Sequence, residues 1–409
     1  MKYVLVIGDG MADDPAEILG GLTALEKANI PNMDRLAQEG ILGSVRNCPE
    51  ELPAGSDTAI LSIFGCDPRK YYTGRAPLEA AAQGIELKEG DLAFRCNMAS
   101  LELGDMPFDE RRIISHSSGG IEGDLSQELA LYLFNHPEFK PLAEKAGVSV
   151  HTSCSFRHIA VQSCGDAKGL ILTPPHDFLG EKAGPLLPRG NKNAEVLKEL
   201  MLKSFDILSS HPANIKRVKE GKLPANCIWF WAYGTAVTLP SFTEKYQKSG
   251  AVISAVPLCH GIGALTGLKL IEVEGATGEL DTNYEGKAAA AVAALLKDGL
   301  DFAAVHVEAP DECTHNGDTE GKLLSIEYLD SRVIAPIVKG LKDTDFRMLI
   351  LSDHKTLTST RGHAGGYVPF ILYDSRTDKG SGLSYTEKNG LKGPVLEDGT
   401  ALMSLLFEN

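Results

Sequence analysis

The stretch Tyr3-Val4-Leu5-Val6-Ile7-Gly8-Asp9-Gly10 decides the fold, because five apolar residues run directly into an acid flanked by glycines. Two later runs, residues 303–307 and 348–351, also predict buried strands and are followed by acids and histidines. Short apolar runs bounded by turn residues are typical of strands that are buried on both faces of a parallel sheet. The three runs together predict an α/β fold built on a mostly parallel sheet.

Five polar clusters lie at or near the ends of predicted strands and helices. They are Gly8-Asp9-Gly10, Gly55-Ser56-Asp57, Asp311-Glu312-Cys313-Thr314-His315, Ser352-Asp353-His354 and Arg361-Gly362-His363. In open α/β sheets, ligands bind outside the carboxyl ends of the strands. We therefore expect these clusters, which come from the two ends of the chain, to meet at one edge of one sheet.

The composition indicates a globular protein with more than one domain. The chain has 409 residues, 43% of them apolar and 23% charged. Its net charge of −15 disfavours nucleic-acid binding, and no apolar run reaches the roughly 18 residues that predict a membrane span. The eight cysteines are scattered without a Cys-x-x-Cys pair, and residues 1–9 lack the pattern of a signal peptide. We expect a cytoplasmic protein with no membrane contact, and no oligomeric state follows from these features.

The secondary-structure pattern changes twice along the chain. Strand and helix signals alternate at first, and short alternating segments with two helical stretches follow. The α/β pattern then returns with a strand predicted over residues 227–231. We predict a core of residues 1–88 and 226–409, with helices on both faces of its sheet, and an inserted α+β domain of residues 89–225. Because the candidate site residues flank this insert, it is predicted to act as a cap or lid.

The carboxylates and imidazoles of the clusters are suitable ligands for a two-metal site. Two neighbouring divalent cations hold both the attacking oxygen and the phosphate that is transferred. The candidate ligands are Asp9, Asp311, His315, Asp353, His354 and His363. Each alone is also explained by a solvated turn or surface loop, but their joint occurrence near strand ends favours a site. Mixed carboxylate and imidazole ligands suit Mn, Zn or Co, and Mg is compatible.

Ser56 is the candidate nucleophile. It follows Pro53-Ala54-Gly55, and a helix predicted just after it would turn free N–H groups toward a phosphate. A helix N-cap serine explains the same pattern. The chain has no G-x-x-x-x-G-K-[ST] loop and no G-x-S-x-G elbow, which disfavours a P-loop nucleotide enzyme and an α/β-hydrolase.

Long motifs carry a family resemblance over nearly the whole chain. They include Gly8-Asp9-Gly10-Met11-Ala12-Asp13, Tyr71-Tyr72-Thr73-Gly74-Arg75-Ala76-Pro77-Leu78-Glu79-Ala80, Thr173-Pro174-Pro175-His176-Asp177 and Asp281-Thr282-Asn283-Tyr284-Glu285-Gly286-Lys287. In these motifs the chain resembles the archaeal-type 2,3-bisphosphoglycerate-independent phosphoglycerate mutases of the alkaline phosphatase superfamily. The resemblance implies an alkaline-phosphatase-like sheet with an inserted cap.

The resemblance also implies roles for the candidate residues. Ser56 looks like the serine that carries the phosphoryl group. Two ligand sets are implied, one for each metal: Asp9, Ser56, Asp353 and His354, and then Asp311, His315 and His363. The implied cofactors are two divalent ions, with Mn preferred over Zn, Co or Mg, and no 2,3-bisphosphoglycerate.

The reaction predicted from the resemblance moves phosphate between the 3- and 2-hydroxyls of glycerate through a phosphoserine. The substrate would be a small phosphorylated hydroxy acid. Residues of the insert that could grip its carboxylate or phosphate are Arg95, Arg157, Arg112 and His158. Ordinary solvation at the surface is the alternative interpretation of these side chains.

Two features depart from the family pattern. The family often has Trp-x-Trp-Gly and Lys-Gly-Ile-Gly, whereas this chain has Trp229-Phe230-Trp231-Ala232-Tyr233-Gly234 and His260-Gly261-Ile262-Gly263. Its opening Gly-Asp-Gly-Met-Ala-Asp is closer to a bacterial branch proposed to be homoserine kinases. A homoserine-kinase-type phosphotransferase and a metal-dependent phosphatase on the same scaffold therefore stay open beside the mutase.

Overall fold

The computed structural model describes residues 1–377 and 380–408. Within these residues the strands form an eight-stranded sheet, a five-stranded sheet and a two-stranded hairpin. In chain order they are β1 (Lys2–Gly8), β2 (Ile41–Val45), β3 (Leu92–Leu101), β4 (Ile113–Ser115), β5 (Val148–His151), β6 (Arg157–Gln162), β7 (Cys227–Thr235), β8 (Gly250–Ile253), β9 (Lys269–Ile271), β10 (Phe302–Val307), β11 (Phe346–Leu351), β12 (Lys355–Leu357), β13 (Gly362–Ala364), β14 (Val368–Asp374) and β15 (Val395–Leu396).

Most helices are short. They are α1 (Ala24–Lys27), α2 (Pro31–Glu39), α3 (Ser56–Ile63), α4 (Pro68–Tyr71), α5 (Arg75–Ala82), α6 (Asp124–Asn135), α7 (Lys140–Ala146), α8 (Lys192–Ser209), α9 (Pro212–Lys219), α10 (Phe242–Tyr246), α11 (Pro257–Leu265), α12 (Tyr284–Leu296), α13 (Ala309–His315), α14 (Thr319–Tyr328), α15 (Ala335–Gly340), α16 (Glu387–Gly390) and α17 (Leu402–Phe407). A π-helical segment, Leu329–Ile334, joins α14 to α15. Among the described residues, no helix is both long enough and apolar enough to cross a membrane.

Two units divide the chain by their internal contacts. Unit 1 is Met1–Tyr72 with Thr238–Asn409, and unit 2 is Thr73–Val237. The boundaries predicted from the sequence, near residues 88 and 226, lie inside unit 2. The difference arises because α5 and β7, at the two ends of unit 2, pack against each other and against β3.

The eight-stranded sheet of unit 1 confirms the predicted mostly parallel α/β fold. Its order is β15-β2-β14-β11-β1-β10-β8-β9, and β14 alone runs antiparallel to both of its neighbours. β1 lies in the middle and pairs in parallel with β10 and β11. The three apolar runs that were predicted from the sequence as buried strands are therefore adjacent.

Helices cover both faces of this sheet. Val4 and Val305 belong to the apolar core beneath α12, while Leu5 and Leu349, which point to the other face, are also fully buried. α11 packs on β8 and β9, and α17 packs on β11. Burial on both faces explains why these strands lack the polar and apolar alternation of a half-exposed sheet.

Unit 2 is built around β3, which pairs antiparallel with β4, β6 and β7. The strand predicted over residues 227–231 exists as β7, but the prediction that it opens the returning core is wrong, because it belongs to this second sheet. A run that is apolar throughout, such as Cys227-Ile228-Trp229-Phe230-Trp231, fits the interior of either sheet, and its hydrophobicity does not identify its partner.

Candidate active site

The carboxyl ends of β1 and β11 place two acids side by side. Ile7 lies opposite Leu351 in the parallel register, so Asp9 and Asp353, each two residues further on, leave the sheet together. α13 follows β10 at the same edge, and its helical spacing brings Asp311 and His315 onto one face. The convergence expected from the strand ends therefore takes place within unit 1.

Asp9, Asp353 and His354 form the first group, called the inner group. Their ligand atoms lie within 4.8 Å of one another. His354 Nε2 is 3.4 Å from Asp9 Oδ1 and 3.4 Å from Asp353 Oδ2. His354 Nδ1 lies 3.2 Å from the carbonyl oxygen of Lys355, and this contact favours the hydrogen on Nδ1. The lone pair of a neutral His354 Nε2 would then face two carboxylates.

A cation fits the inner group. Asp353 Oδ1 accepts hydrogen bonds from the backbone N–H groups of Gly10 at 3.0 Å and His354 at 2.8 Å. Asp353 Oδ2 is buried and has no hydrogen-bond partner among the described residues. Burial, together with the nearby Asp353, Asp311 and Glu308 carboxylates, raises the pKa of Asp9 well above its usual range. Buried carboxylates that face each other need a cation or a shared proton between them.

Ser56 points into the inner group. Its Oγ lies 3.2 Å from Asp9 Oδ2 and 3.2 Å from His354 Nε2. Ser56 is the first residue of α3, and the cap position is held by Gly55 without a side-chain bond. The interpretation of Ser56 as an N-cap serine is therefore wrong, and its hydroxyl is available for chemistry.

Asp311, His315 and His363 form the second group, called the outer group. His315 Nε2 lies 3.2 Å from Asp311 Oδ2, and His363 Nε2 lies 3.4 Å from Asp311 Oδ1. The two Nε2 atoms are only 2.9 Å apart. His315 Nδ1 lies 2.8 Å from the carbonyl oxygen of Arg361, so its hydrogen is on Nδ1 in the neutral ring. Two imidazole nitrogens and a carboxylate at these distances need a shared proton or a metal ion.

In the outer group the pKa of the carboxylate is lowered, whereas in the inner group the pKa of Asp9 is raised. Burial raises the pKa of Asp311, but the hydrogen bonds from His315 and His363 outweigh burial and lower it below its usual range. The same Asp311 contact raises the pKa of His315 to about 9. In the absence of metal, the proton is therefore held on an imidazole.

The hairpin of β12 and β13 connects the two groups. Thr356 pairs with His363 across the hairpin, and the Thr356 hydroxyl donates to Asp311 Oδ1 at 2.5 Å while lying 3.3 Å from His354 Nδ1. Gly10 lies against this hydroxyl at a φ of +59°, where an added Cβ would come within 2.3 Å of Thr356 Oγ1. A side chain at position 10 would displace the residue that joins the groups.

Sequence reasoning missed the side chains that support these groups. His306 Nε2 lies 3.0 Å from Asp9 Oδ2, and His306 Nδ1 lies 3.1 Å from Ser254 Oγ. Burial, followed by the nearby Lys287, lowers the pKa of His306 to about 3. A histidine one position before the end of an apolar strand was the available signal, because a buried polar ring requires partners.

Arg95 and Arg157, the two best candidates in the insert, have different surroundings in unit 2. Arg95 Nε donates to Glu79 Oε2 at 2.8 Å, a second bond joins the same pair, and both side chains are buried. Arg157 Nε is buried without a hydrogen-bond partner among the described residues. Burial, followed by Arg95, lowers the pKa of Arg157 to about 10. Arg157 Nε therefore lacks the carboxylate contact that Arg95 Nε has.

The remaining predicted residues are occupied by local contacts. Arg112 is exposed and donates to the carbonyl oxygen of Gly180 at 2.5 Å. His158 is completely buried, with Nδ1 accepting from Ser153 N–H at 3.1 Å and Nε2 lying 3.2 Å from Ser126 Oγ. Both ring nitrogens of His158 are thereby used within unit 2.

Comparisons with known proteins agree with this fold. The family described as 2,3-bisphosphoglycerate-independent phosphoglycerate mutase matches residues 37–214. A relative of that name from Methanosarcina barkeri is 45% identical over 398 residues, which cover 97% of this chain and 96% of the relative.

Two solved structures are also similar over nearly their whole length. The PH0037 protein from Pyrococcus horikoshii has a TM-score of 0.80 at 31% identity, with 99% of this chain and 96% of that chain covered. The cofactor-independent phosphoglycerate mutase from Thermoplasma acidophilum has a TM-score of 0.64 at 28% identity, with 99% of each chain covered.

The fold and site together define an α/β protein with a serine and grouped carboxylates and imidazoles at the carboxyl edge of its sheet. A relative that is 45% identical over nearly the whole length of both chains is sufficient to assign the family. The chain belongs to the 2,3-bisphosphoglycerate-independent phosphoglycerate mutase family.

Proposed function

We propose that the protein is a metal-dependent mutase that interconverts 3-phosphoglycerate and 2-phosphoglycerate through a phosphoserine on Ser56. The observation that carries the proposal is the position of Ser56 Oγ, 3.2 Å from both Asp9 Oδ2 and His354 Nε2. A nucleophile in contact with metal-ligand candidates suits phosphoryl transfer. Family membership supports phosphoglycerate as the substrate.

The inner and outer groups are proposed to hold one divalent cation each, with Mn preferred over Zn, Co or Mg. When bound, the cations would lower the pKa of the Ser56 hydroxyl and offset the negative charge of the phosphoryl oxygens. The chain contributes the ligands, the hairpin that connects them, and the amino terminus of α3, whose backbone N–H groups suit a phosphate.

In the forward direction, Ser56 Oγ forms a bond to phosphorus, and the bond from phosphorus to the 3-oxygen of glycerate breaks. The serine proton ends on the released 3-hydroxyl. The 2-hydroxyl then attacks the phosphoserine, its proton returns to Ser56 Oγ, and 2-phosphoglycerate forms. Water must be excluded while the phosphoserine exists, since hydrolysis would release inorganic phosphate. We assign this shielding to unit 2 as a cap.

Arg157 is our choice for the residue that binds the carboxylate or phosphate of the substrate. Its cation is desolvated, and its Nε has no hydrogen-bond partner among the described residues, whereas Arg95 is neutralised by Glu79. Arg157→Gln is expected to raise KM for 3-phosphoglycerate at least tenfold (about 1.4 kcal/mol) because a charge-assisted contact is lost. Arg112→Gln is the matched exposed control, and an equal effect in both variants would remove Arg157 from the proposal.

The test of the reaction uses 3-phosphoglycerate labelled in the phosphate, Mn²⁺ and no nucleotide. The mutase predicts labelled 2-phosphoglycerate with little free phosphate, and unlabelled glycerate should barely dilute the product. Chiefly free phosphate would instead identify a phosphatase. Phosphorylation of homoserine that requires ATP, without turnover of 3-phosphoglycerate, would identify the kinase.

A further inference from the structure

A row of hydrogen bonds crosses three neighbouring strand ends behind the inner group. Asp9 follows β1, His306 lies in β10, and Ser254 follows β8, which is the next strand of the parallel sheet. His306 connects them, with Nε2 3.0 Å from Asp9 Oδ2 and Nδ1 3.1 Å from Ser254 Oγ. All three residues are at most 2% exposed, so water does not compete for these bonds.

We propose that His306 is a positioning residue that orients the Asp9 carboxylate as a metal ligand. A carboxylate that binds a cation is ionised and only accepts hydrogen bonds, so with Asp9 as a metal ligand the His306 ring hydrogen is on Nε2 and Nδ1 accepts. The Ser254 hydroxyl then donates to Nδ1, while its oxygen accepts from the backbone N–H of Val256 at 3.0 Å. The row is therefore directed from Ser254 through His306 to Asp9.

The contact assigns different tasks to the two oxygens of Asp9. Oδ2 accepts from His306 and also lies 3.2 Å from Ser56 Oγ, whereas Oδ1 lies 3.4 Å from His354 Nε2, inside the inner group. A hydrogen bond to one oxygen fixes the plane of the carboxylate and leaves the other oxygen facing the cation. Removing such an outer partner of a metal ligand typically weakens metal binding by about 10- to 100-fold.

The strand around His306 holds the ring in place. Ile7 pairs with His306 in the parallel register of β1 and β10. The buried Lys287 donates from Nζ to the carbonyl oxygen of His306 at 3.1 Å. Because the backbone is anchored in this way, the ring reaches Asp9 without rearrangement, and the loss of its N–H should act mainly on Asp9.

This inference rests on the proposed metal-dependent function, and its test measures metal binding directly. Free Mn²⁺ is followed by electron paramagnetic resonance as the metal-free full-length protein is titrated. His306→Leu removes the N–H donor, and His306→Gln keeps a donor with similar reach. We expect His306→Leu to weaken the inner site about 10- to 100-fold, His306→Gln to weaken it much less, and both to leave the outer site unchanged.

The unfolding temperature in EDTA separates positioning from a purely structural role. A structural histidine would lower that temperature in both variants and leave the dissociation constant for Mn²⁺ unchanged, which would overturn the inference. If His306→Leu does not fold, Ser254→Ala replaces it, and we expect weaker Mn²⁺ binding with the ring still present. Unchanged binding in folded Ser254→Ala and His306→Gln would then overturn the inference.

The two proposals fail in different ways. Wild-type protein that binds no Mn²⁺ would overturn both of them. Wild-type protein that binds Mn²⁺ but does not convert 3-phosphoglycerate would overturn the mutase, while the comparison of His306→Leu with His306→Gln would still decide the role of His306.

Discussion

The inner and outer groups use the same ligand types in opposite proportions. The inner group has two carboxylates and one imidazole, all at most 2% exposed. The outer group has one carboxylate and two imidazoles, and the side chains of His315 and His363 are 34% and 30% exposed. Burial and neighbouring carboxylates raise the pKa of Asp9, whereas the hydrogen bonds of two imidazoles lower the pKa of Asp311.

This difference in pKa indicates where each group favours a proton when no metal is bound. The raised pKa of Asp9 favours a proton on a carboxylate of the inner group, whereas the raised pKa of His315 favours a proton on an imidazole of the outer group. Metal binding must displace these protons. The inner group, which contacts Ser56, is therefore expected to control chemistry, and the outer group is expected to respond more to solvent conditions.

The largest expected effect comes from removing the hydroxyl of Ser56, which points into the inner group. Ser56→Ala should lower turnover of 3-phosphoglycerate at least about 10³-fold, because alanine has no oxygen to form the phosphoserine. Both Mn²⁺ ions should still bind, since the imidazole and carboxylate ligands are intact. Turnover and elemental analysis of the desalted protein measure these effects. Turnover near the wild-type rate in the folded variant would mean that Ser56 does not carry the phosphate.

Substituting one candidate ligand should remove the metal ion from its own group and leave the ion in the other group. Asp353→Asn is expected to weaken the inner ion and His363→Asn the outer ion, each by about 100-fold or more, because each removes a direct ligand. The metal content after desalting should fall from two ions to one in either variant. A single ion in the wild-type protein, or the loss of both ions in each variant, would show that the two groups are not separate sites.

The Thr356 hydroxyl connects the groups, and its removal should have a smaller effect. Thr356→Val removes the hydrogen bond to Asp311 Oδ1 and should weaken the outer ion about tenfold, as expected for a partner of a ligand. Thr356→Ser keeps the hydroxyl and serves as the matched control. Equal dissociation constants for Mn²⁺ in the two variants would assign the hydroxyl no part in metal binding.

The smallest expected effect is the pH dependence of the metal-free protein. The pKa of His315 is raised from 6.5 to about 9 in the folded state, so its protonated form stabilises the fold. This stabilisation is fully present below pH 6.5 and is lost as the pH rises through about 9. Because His315 is partly exposed, we expect at most about 1 kcal/mol.

Urea unfolding in EDTA at a series of pH values measures this effect. Between pH 6.5 and 9, the free energy of unfolding should fall more in the wild-type protein than in His315→Asn, which lacks the titrating ring. Identical pH profiles would mean that the contact between His315 and Asp311 does not hold a proton.

Much of the fold could be predicted because its signals are local. The apolar runs before Asp9 and before Asp353 became β1 and β11, and the run of residues 303–307 became part of β10. The domain boundary could not be predicted as well, because β7 is apolar throughout and only its pairing with β3 shows which sheet it joins.

Within the candidate site, sequence patterns pointed to side chains that the structure brings together, but not to the side chains that support them. The i, i+4 spacing of Asp311 and His315 allows both side chains to lie on one face of a helix, and the structure has them in contact at 3.2 Å. His306 was hidden inside an apolar run, and its partners come from β1 and from the loop after β8. Such partners become apparent only when the strand order is known.

The sequence by itself determined the strands, several helices and the residue types of the site, because these depend on backbone periodicity over a few neighbouring residues. The tertiary structure decided which polar groups satisfy each other. It brought Asp9 beside Asp353 through the pairing of β1 with β11, and it neutralised Arg95 with Glu79 while leaving Arg157 Nε unpartnered among the described residues. The physical reason is that burial makes every unpaired polar atom costly, and its partner is chosen by packing across distant parts of the chain.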